Sequence, residues 1–493
     1  MFDVIIIGAG IAGAACAREL SRYDISILLL EAKSDVSAGA TRANSGIVHA
    51  GFDPEPGTLK ARYNIEGSRL YPKLAEELSF PYIRNGSLVV AFAEEERPAL
   101  ESLLERGKKN GVPELRIVES DELHELEPNL SPNAVAALYA PSGAITNPYL
   151  ACLAFAENAV QNGVECRLDT PVTAIERVSD GWRVHAGGEE LDCRIVIDAA
   201  GTHSAEVAAM AGDTNFKITP RAGEYVLLDR GYGTTFRSTM FQVPTAAGKG
   251  VLIAPTTGGN LIVGPDAVVR EDLDDTSTDA AGLDAVVAAA KKTWPDFSWR
   301  GVITNFAGVR SSCVEHGDFI LGEPDGMDGF FRIVGFDSPG LTAAPAIAVE
   351  YASAIAERLD AKPNPAFNPK RNALPMFSRA SDDERAALIA QDPAWGHIIC
   401  RCEEVAEAEI VAAIHSPIPA TTIDAIKWRT RAGMGRCQSG FCMPLVAEII
   451  ARETGCDACE VRKSSGDSAI AAGRRGCFED LPPVVIFKGG QDE

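Results

Sequence analysis

The chain alternates short, wholly apolar runs with stretches of helical periodicity, beginning at its second residue. FDVIII, residues 2–7, is a branched apolar run with the length of a buried parallel strand. Apolar positions at helical spacing follow through Arg22, and SILLL, 26–30, is a second strand of the same kind. The pattern predicts further helices over 62–78, 94–111, 280–292 and the later part of 331–359, and one over 147–162 with Pro148 in its first turn. Strand-like runs fall at 87–93, 164–168, 172–177, 181–186 and 194–201, and residues 113–142 alternate short strands with turns. Between 219 and 264, EYVLLD, GVLIAP and NLIVGP alternate as in an antiparallel sheet. FAGVRSS, 306–312, reads as a glycine-preceded turn carrying Arg310. The four prolines of AKPNPAFNPKRNALP, 361–375, and its lack of periodicity read as a linker.

The first two strands and the helix between them enclose GAGIAG, which places Gly8, Gly10 and Gly13 in a G-x-G-x-x-G pattern. Gly8 allows the tight turn, Gly10 lets the backbone approach a pyrophosphate, and Gly13 lets helix and strand pack closely. A pyrophosphate there meets the free N–H groups and positive dipole end of the helix. Glu31, at the end of the second strand, can accept hydrogen bonds from a ribose hydroxyl. These residues predict a dinucleotide site and leave FAD and NAD both open. The loop from Gly39 to Ala61, rich in small residues with His49 at its middle, suits close packing against a flat ligand. The turn after 334 offers a second helix N-terminus opening on Gly and Ser.

At 493 residues the chain is too long for a single compact core, so two or three domains are expected. A net charge of −23 argues against nucleic acid and against an anionic membrane surface, which both require clustered Lys and Arg. No run of eighteen apolar residues predicts a membrane span, and the N-terminus enters a core strand without a signal-like segment, so a cytoplasmic location is expected. The twelve Cys are then better read as thiols or metal ligands than as disulfides, and seven of them lie after residue 399.

GAGIAG with Glu31, NSGIVHAGFDPEPGTLKA, DAAG, GVRSS and GFDSPGLTAAPAIA together resemble the FAD-dependent D-amino-acid oxidase superfamily, over residues 1–360. NSGIVHAG and PGTLKA look closest to its glycerol-3-phosphate and L-2-hydroxyglutarate dehydrogenase branch. The resemblance implies an α/β fold: a discontinuous Rossmann-like FAD domain (1–80, 143–215, 308–360) with an inserted antiparallel-sheet substrate domain (81–142, 216–307). It decides for FAD over NAD. It implies that Gly8, Gly10, Gly13 and Glu31 bind the ADP half. Thr41, Asn44 and Ser45 would lie along the pyrophosphate and flavin, Val172 beside the adenine, and Gly201 near the ribityl chain. Gly335, Gly340 and Leu341 would meet the flavin's pyrimidine end. His49 falls where the family has a histidine beside the substrate, Arg310 where it has an arginine gripping the substrate's anionic group. Lys249 is a substrate-binding candidate. A neutral His suits removal of a hydroxyl proton, and an Arg fork can orient a carboxylate or phosphate. A structural histidine and an ordinary salt-bridge arginine are the alternatives. The other six His read as surface or structural.

After the expected linker, 361–395, HIICRCEEV and GRCQSGFCMP supply Cys400, Cys402, Cys437 and Cys442: C-x-C, thirty-four residues, then C-x4-C. Two close pairs of thiolates are what a 2Fe–2S cluster needs, with zinc the alternative for four Cys. VAEAEIVAAI and TTIDAIKWRT between them read as helices, the second capped near Thr422, and the glycines of TRAGMGRCQSGFC free N–H groups to face sulfur. The stretch resembles the bacterioferritin-associated-ferredoxin-like 2Fe–2S domain of some multi-subunit flavin dehydrogenases, expected over 396–460 as a small helical domain with a tail from 461 to 493. Cys456, Cys459 and Cys477 leave a second metal site open.

The expectation is therefore an FAD-dependent dehydrogenase with a 2Fe–2S cluster. It would oxidise a small anionic substrate, foremost sn-glycerol 3-phosphate, and pass electrons to a redox partner such as a pyridine-nucleotide-dependent flavoprotein. Alternatives are a 2-hydroxy acid such as L-2-hydroxyglutarate, an opine or amino-acid amine, or, in another class, an electron-transfer subunit that meets no small substrate.

Overall fold

Strand Phe2–Ile7 lies inside an eight-stranded sheet because every one of its last four residues is buried and neither face can meet water. It pairs in parallel with Ile27–Leu30 on one side and Glu189–Asp198 on the other. The sheet continues through Glu165–Arg167 at one end and, at the other, through the antiparallel strands Gly181–Ala186 and Val172–Val178. Phe330–Val334, from far along the chain, also pairs in parallel with Glu189–Asp198. The computed structural model describes residues 1–244, 250–471 and 473. Helices Ile11–Leu20, Pro148–Gln161, Leu59–Leu78 and Gly340–Leu359 pack together over one face of this sheet in a continuous apolar core. Asn147 caps Pro148–Gln161 by accepting the Leu150 N–H, which fixes that helix where the proline predicts.

A second, nine-stranded sheet combines Ser87–Ala91, Ala136–Ala140 and Arg116–Glu119 with strands drawn from 219–312. Its pairings are antiparallel except that between Thr239–Gln242 and Ser87–Ala91. Helix Ala280–Thr293 covers it over a separate core. Arg310 is not in a turn: Val302–Ser312 is one continuous strand paired along its length with Thr219–Leu228, and it runs past the expected boundary at 307/308. The reason is Gly308. A Cβ there would lie 1.9 Å from the Ala43 carbonyl oxygen, so the glycine serves a close backbone approach within a strand. In 113–142, Ser120–Leu126 is helical where strands and turns were expected.

The C-terminal module has a two-stranded hairpin, Ile398–Cys400 with Val405–Ala406, and helices Glu407–Ile414, Ile423–Thr430 and Met443–Thr454 around their own core. Thr422 caps the second helix. The segment expected as a linker is fastened rather than free. Lys362 O accepts the Asp24 N–H at 2.8 Å, and Asn364 N–H donates to Arg22 O at 2.7 Å. The Arg371 guanidinium is buried against Glu157 and the Leu78 carbonyl. Asp382–Gln391 beyond it is a helix closed by a Ser381–Glu384 capping box. Among the described residues no helix is long and apolar enough to cross a membrane.

Candidate active site and cluster site

The first strand turns into its helix at Gly8, whose φ is +101°, and a Cβ there would lie 2.5 Å from the Ala199 carbonyl oxygen. A Cβ on Gly13 would lie 1.9 Å from the Gly8 oxygen, so this residue sets the helix-to-strand distance. Gly10 is the N-cap of Ile11–Leu20 and has no capping side chain, although Thr41 Oγ1 accepts the Ile11 N–H at 3.0 Å. Gly340–Leu359 likewise begins without a side-chain cap. Both helix ends open into one cavity of about 920 Å³, at the upper end for small-molecule sites. Gly8, Gly10, Glu31, Thr41, Asn44, Ser45, Val172, Gly201, Gly340 and Leu341 line it, together with His49 and Arg310. The Glu31 carboxylate accepts the N–H groups of Ala9 at 2.9 Å and Lys33 at 3.0 Å, while burial raises its pKa. A cavity of this volume, lined by many glycines and small residues, with two open helix N-termini, fits a flavin dinucleotide.

At the other end of the cavity His49 is held by its main chain. Its N–H donates to Thr342 Oγ1 at 3.0 Å, and its carbonyl accepts from Asn64 Nδ2 at 2.7 Å. Its Nε2 lies 3.3 Å from Ser338 Oγ, and its ring is 6.0 Å from Phe241. The Arg310 fork lies across the neighbouring strand. Nη1 donates to Ala222 O at 3.2 Å and Nη2 to Asp266 O at 3.1 Å. Gly223 makes room for it: a Cβ there would be 2.3 Å from Nη2. Among the described residues no carboxylate pairs with this guanidinium, so its charge is held in place by neutral carbonyls and the Tyr225 hydroxyl. Burial raises the Tyr225 phenol's pKa, opposed by Arg310 and by a hydrogen bond from Ser45.

In the C-terminal module the four thiols meet as two pairs. Cys402 Sγ and Cys437 Sγ are 3.5 Å apart, and the Cys400 and Cys442 thiols are hydrogen-bonded to each other. The Cys442 thiol and the N–H groups of Gly433, Glu403 and Cys402 pull the Cys400 thiol down to about 6 against its burial. Glu404, Gln438 and Ser439 all have positive φ, as expected where successive N–H groups turn toward an anion. A Cβ on Gly435 would be 2.4 Å from Cys402 Cβ. Among the described residues no three His, Cys, Asp or Glu side chains converge on a single ion site. Two close thiol pairs with facing N–H groups fit a binuclear iron–sulfur cluster.

The FAD dependent oxidoreductase family model matches residues 3–354. The chain belongs to that family. A BFD-like [2Fe-2S] binding domain model matches residues 398–452 of the same oxidoreductase. Glycerol 3-phosphate dehydrogenase of Caloramator mitchellensis is 43% identical over 96% of this chain and 98% of its own length. Human L-2-hydroxyglutarate dehydrogenase is 27% identical, over 73% of this chain and 89% of its own. The FAD-bound L-alpha-glycerophosphate oxidase of Mycoplasma pneumoniae superposes with a TM-score of 0.71 at 34% identity, covering 75% of this chain and 98% of the oxidase. The protein is thus an FAD-dependent, glycerol-3-phosphate dehydrogenase-like oxidoreductase whose cofactors are FAD and a 2Fe–2S cluster.

Not every expected residue of this oxidoreductase stands on the cavity. Gly13 is packed behind the wall, in keeping with its spacing role. Gly335 is not on the wall either: its φ of +66° forms the bend, and a Cβ there would meet Asp318 O and Cys313 at 3.2 Å. Lys249 lies outside the described residues, although Gly250 beside it lines the cavity. Cys477 also lies outside them, and Cys456 and Cys459 form no disulfide among the described residues. His203, expected to be a surface or structural residue, is on the wall and hydrogen-bonds Glu206 at 2.8 Å. Tyr225, Phe241, Ser338 and the Lys60–Asp337 ion pair, at 2.8 Å, are wall groups that sequence reasoning did not single out. Alternation in EYVLLD could have flagged Tyr225, an inward aromatic; nothing local marks Lys60.

The cluster module is seated on the flavin module. The fully buried Arg429 forms a two-pronged pair with Asp35, both contacts at 2.8 Å, and also donates to Tyr149 Oη. Trp428 packs against the Tyr149 ring at 5.9 Å. Arg431, beside the cluster loop, joins Glu403 at 2.7 Å to Asn260 of the second sheet at 2.9 Å.

Proposed function

We propose that this oxidoreductase converts sn-glycerol 3-phosphate to dihydroxyacetone phosphate, and that the two electrons leave one at a time through the cluster module to a redox partner. The observation that carries the reading is that His49 and Arg310 open onto the same cavity as the dinucleotide cradle. Bound FAD supplies a hydride acceptor, and the 2Fe–2S centre a one-electron outlet. His49 takes the proton from the C2 hydroxyl, and its fixed main chain and Ser338 keep its ring in place for that transfer. Arg310 receives the phosphate on the guanidinium edge not used by Ala222 and Asp266, which orients the C2–H bond. Holding the fork with uncharged carbonyls leaves its full charge for an anion. The apolar ring of Phe241 beside His49 helps keep water from the reacting carbon.

The relatives support the outlet. The Caloramator dehydrogenase matches nearly the whole chain, both modules included. The glycerophosphate oxidase, matched over 98% of its own length, leaves about a quarter of this chain without a counterpart. Anaerobic mixing of the yellow protein with sn-glycerol 3-phosphate, glycerol and L-2-hydroxyglutarate tests the reading. Bleaching by glycerol 3-phosphate and not by glycerol is expected. Bleaching by L-2-hydroxyglutarate alone replaces the substrate, and bleaching only by a reduced protein partner replaces the enzyme with an electron carrier.

A further inference from the structure

The four thiols of the cluster site do not share one environment. Cys400 and Cys442 are buried, Cys437 is half-buried and Cys402 is exposed, so the Cys402–Cys437 side is the edge that meets solvent. Beside it Phe441 is 85% exposed and Leu445, one turn into the following helix, 41%. A nearly bare phenylalanine next to a buried ligand contributes nothing to folding and marks a contact surface. The surroundings are basic, in a chain whose net charge is −23. Arg401, between the first two ligands, and Arg436, before the third, are both exposed. Arg431 and Arg230 converge on Glu403 at 2.7 and 3.4 Å, Arg379 lies close enough to both for their charges to act on it, and Arg385 reaches Glu404 at 3.3 Å. The carboxylates among them are the buried Glu403, Glu404 and Asp229, the last 3.7 Å from Arg436. Six arginines thus surround these three carboxylates, with the exposed Glu448, one helical turn beyond Leu445, as a fourth.

We propose that this edge docks an acidic one-electron carrier protein, with Phe441 and Leu445 at the centre of the contact and the arginines as its rim. The inference rests on the reading that electrons leave through the cluster module. An acidic carrier is repelled by most of this molecule and attracted here, so the charge pattern selects both partner and orientation. An apolar centre inside a charged rim is also the anatomy of small, exchangeable interfaces. Each encounter takes one electron from the reduced oxidoreductase and reduces the carrier by one, so two encounters balance one two-electron substrate oxidation.

The test is binding, measured on the as-isolated holoprotein without substrate, so a wrong substrate does not affect it. The probes are an acidic 2Fe–2S ferredoxin and, as the opposite charge, basic cytochrome c, titrated by calorimetry at low and high salt. Ferredoxin affinity should fall about tenfold or more from low to physiological salt. It should fall at least about tenfold in an Arg401→Glu/Arg436→Glu double variant and several-fold in Phe441→Ala. Iron per chain serves as the folding control; if the charge reversal lowers it, Arg436→Gln with Phe441→Ala, both at exposed positions, carries the test. Ferredoxin binding that ignores salt and all these substitutions overturns the proposal. So does preference for cytochrome c, or self-association of the parent that Phe441→Ala abolishes, which would assign the patch to a second copy of this chain.

Discussion

The flavin cavity is walled by main chain and glycine, whereas the cluster site is made of four side chains on two short loops. Gly8 and Gly308 leave no room for a Cβ, and the segments they join, at Ala199 and Ala43, lie about two hundred residues or more away in the sequence. The cluster site gathers Cys400, Cys402, Cys437 and Cys442 from one small helical module with its own core. The first site exists because a large sheet has folded. The second gains its binding free energy from side-chain ligands within a module whose core is small. Loss of one ligand should therefore abolish the cluster, while loss of one wall residue in the flavin cavity should change chemistry and leave the cofactor bound.

Cys437→Ser presses this contrast hardest. A hard hydroxyl replaces a soft thiolate, so iron and acid-labile sulfide should be lost together with the paramagnetic resonance signal of the reduced protein. Electron delivery to a protein carrier should drop to background, while FAD content and single-turnover bleaching by substrate stay at the parental level. One zinc and no iron in anaerobically purified parent protein would remove the cluster from the comparison altogether. His49→Ala is the counterpart in the flavin module. Its iron and FAD should match the parent, and anaerobic flavin reduction should slow by about 10²–10⁴-fold. Reduction at the parental rate would leave His49 a structural residue.

The same contrast explains what could be read from the sequence. Thiols at fixed spacing are a local signal, so C-x-C and C-x4-C pointed directly to the 2Fe–2S domain over 398–452. The strand–GAGIAG–helix unit was legible because its signal is also local. Long-range contacts were not. Gly308 looked like a turn residue because its reason, the Ala43 carbonyl, is contributed by a distant loop. The prolines of 361–375 looked like a loose tether because the groups that fasten it, near Arg22, Leu78 and Glu157, lie far away in sequence. Arg429 read only as part of the helix TTIDAIKWRT, since Asp35, nearly four hundred residues earlier, gives it its purpose. Family resemblance supplied His49 and Arg310, yet it also put Gly335 at the flavin, where the structure uses it for a bend.

A smaller effect probes how the wall positions Arg310. Arg310→Lys replaces a fork with a point charge and should raise the KM for an anionic substrate by about tenfold or more, with a lesser change in kcat. Gly223→Ala leaves Arg310 intact and pushes a Cβ into Nη2. It should raise KM in the same direction by a few-fold, and the Arg310→Lys/Gly223→Ala double variant should be little worse than Arg310→Lys alone, because both act on one contact. Independent, fully additive losses would show that Gly223 serves the sheet and not the guanidinium.

The mildest test asks whether the two regions are separate bodies at all, and pH supplies the handle. Each holds a buried carboxyl whose pKa is raised by burial: Asp198, at the end of the strand beside the flavin cavity, to about 8, and Glu409, in the first turn of Glu407–Ile414, to about 7. The Ala200 N–H on Asp198 and the Ala406 N–H on Glu409, at 3.0 and 2.9 Å, oppose the shifts without cancelling them. In the unfolded chain these groups titrate near their ordinary values of about 4. Between about pH 4 and the folded pKa the unfolded state has lost a proton that the folded state keeps. Each group therefore lowers stability as pH rises, by up to about 1.4 kcal/mol per pH unit, until about pH 8 for Asp198 and about pH 7 for Glu409. Calorimetric scans of the holoprotein at pH 5, 6.5 and 8 should show the Tm falling by a few degrees across the series. Asp198→Asn should flatten the fall up to pH 8 and Glu409→Gln only its part below pH 7. If the Arg429–Asp35 pair and the Trp428–Tyr149 contact weld the modules into one cooperative unit, both substitutions will move a single transition. That is the outcome the buried pair favours, since separating the modules would break both prongs of the Arg429–Asp35 contact and leave Asp35 only the Tyr149 hydroxyl and the Val36 N–H. Two transitions, one following Asp198 and the other Glu409, would instead make the cluster module an independent body held to the flavoprotein by contacts weaker than its own fold.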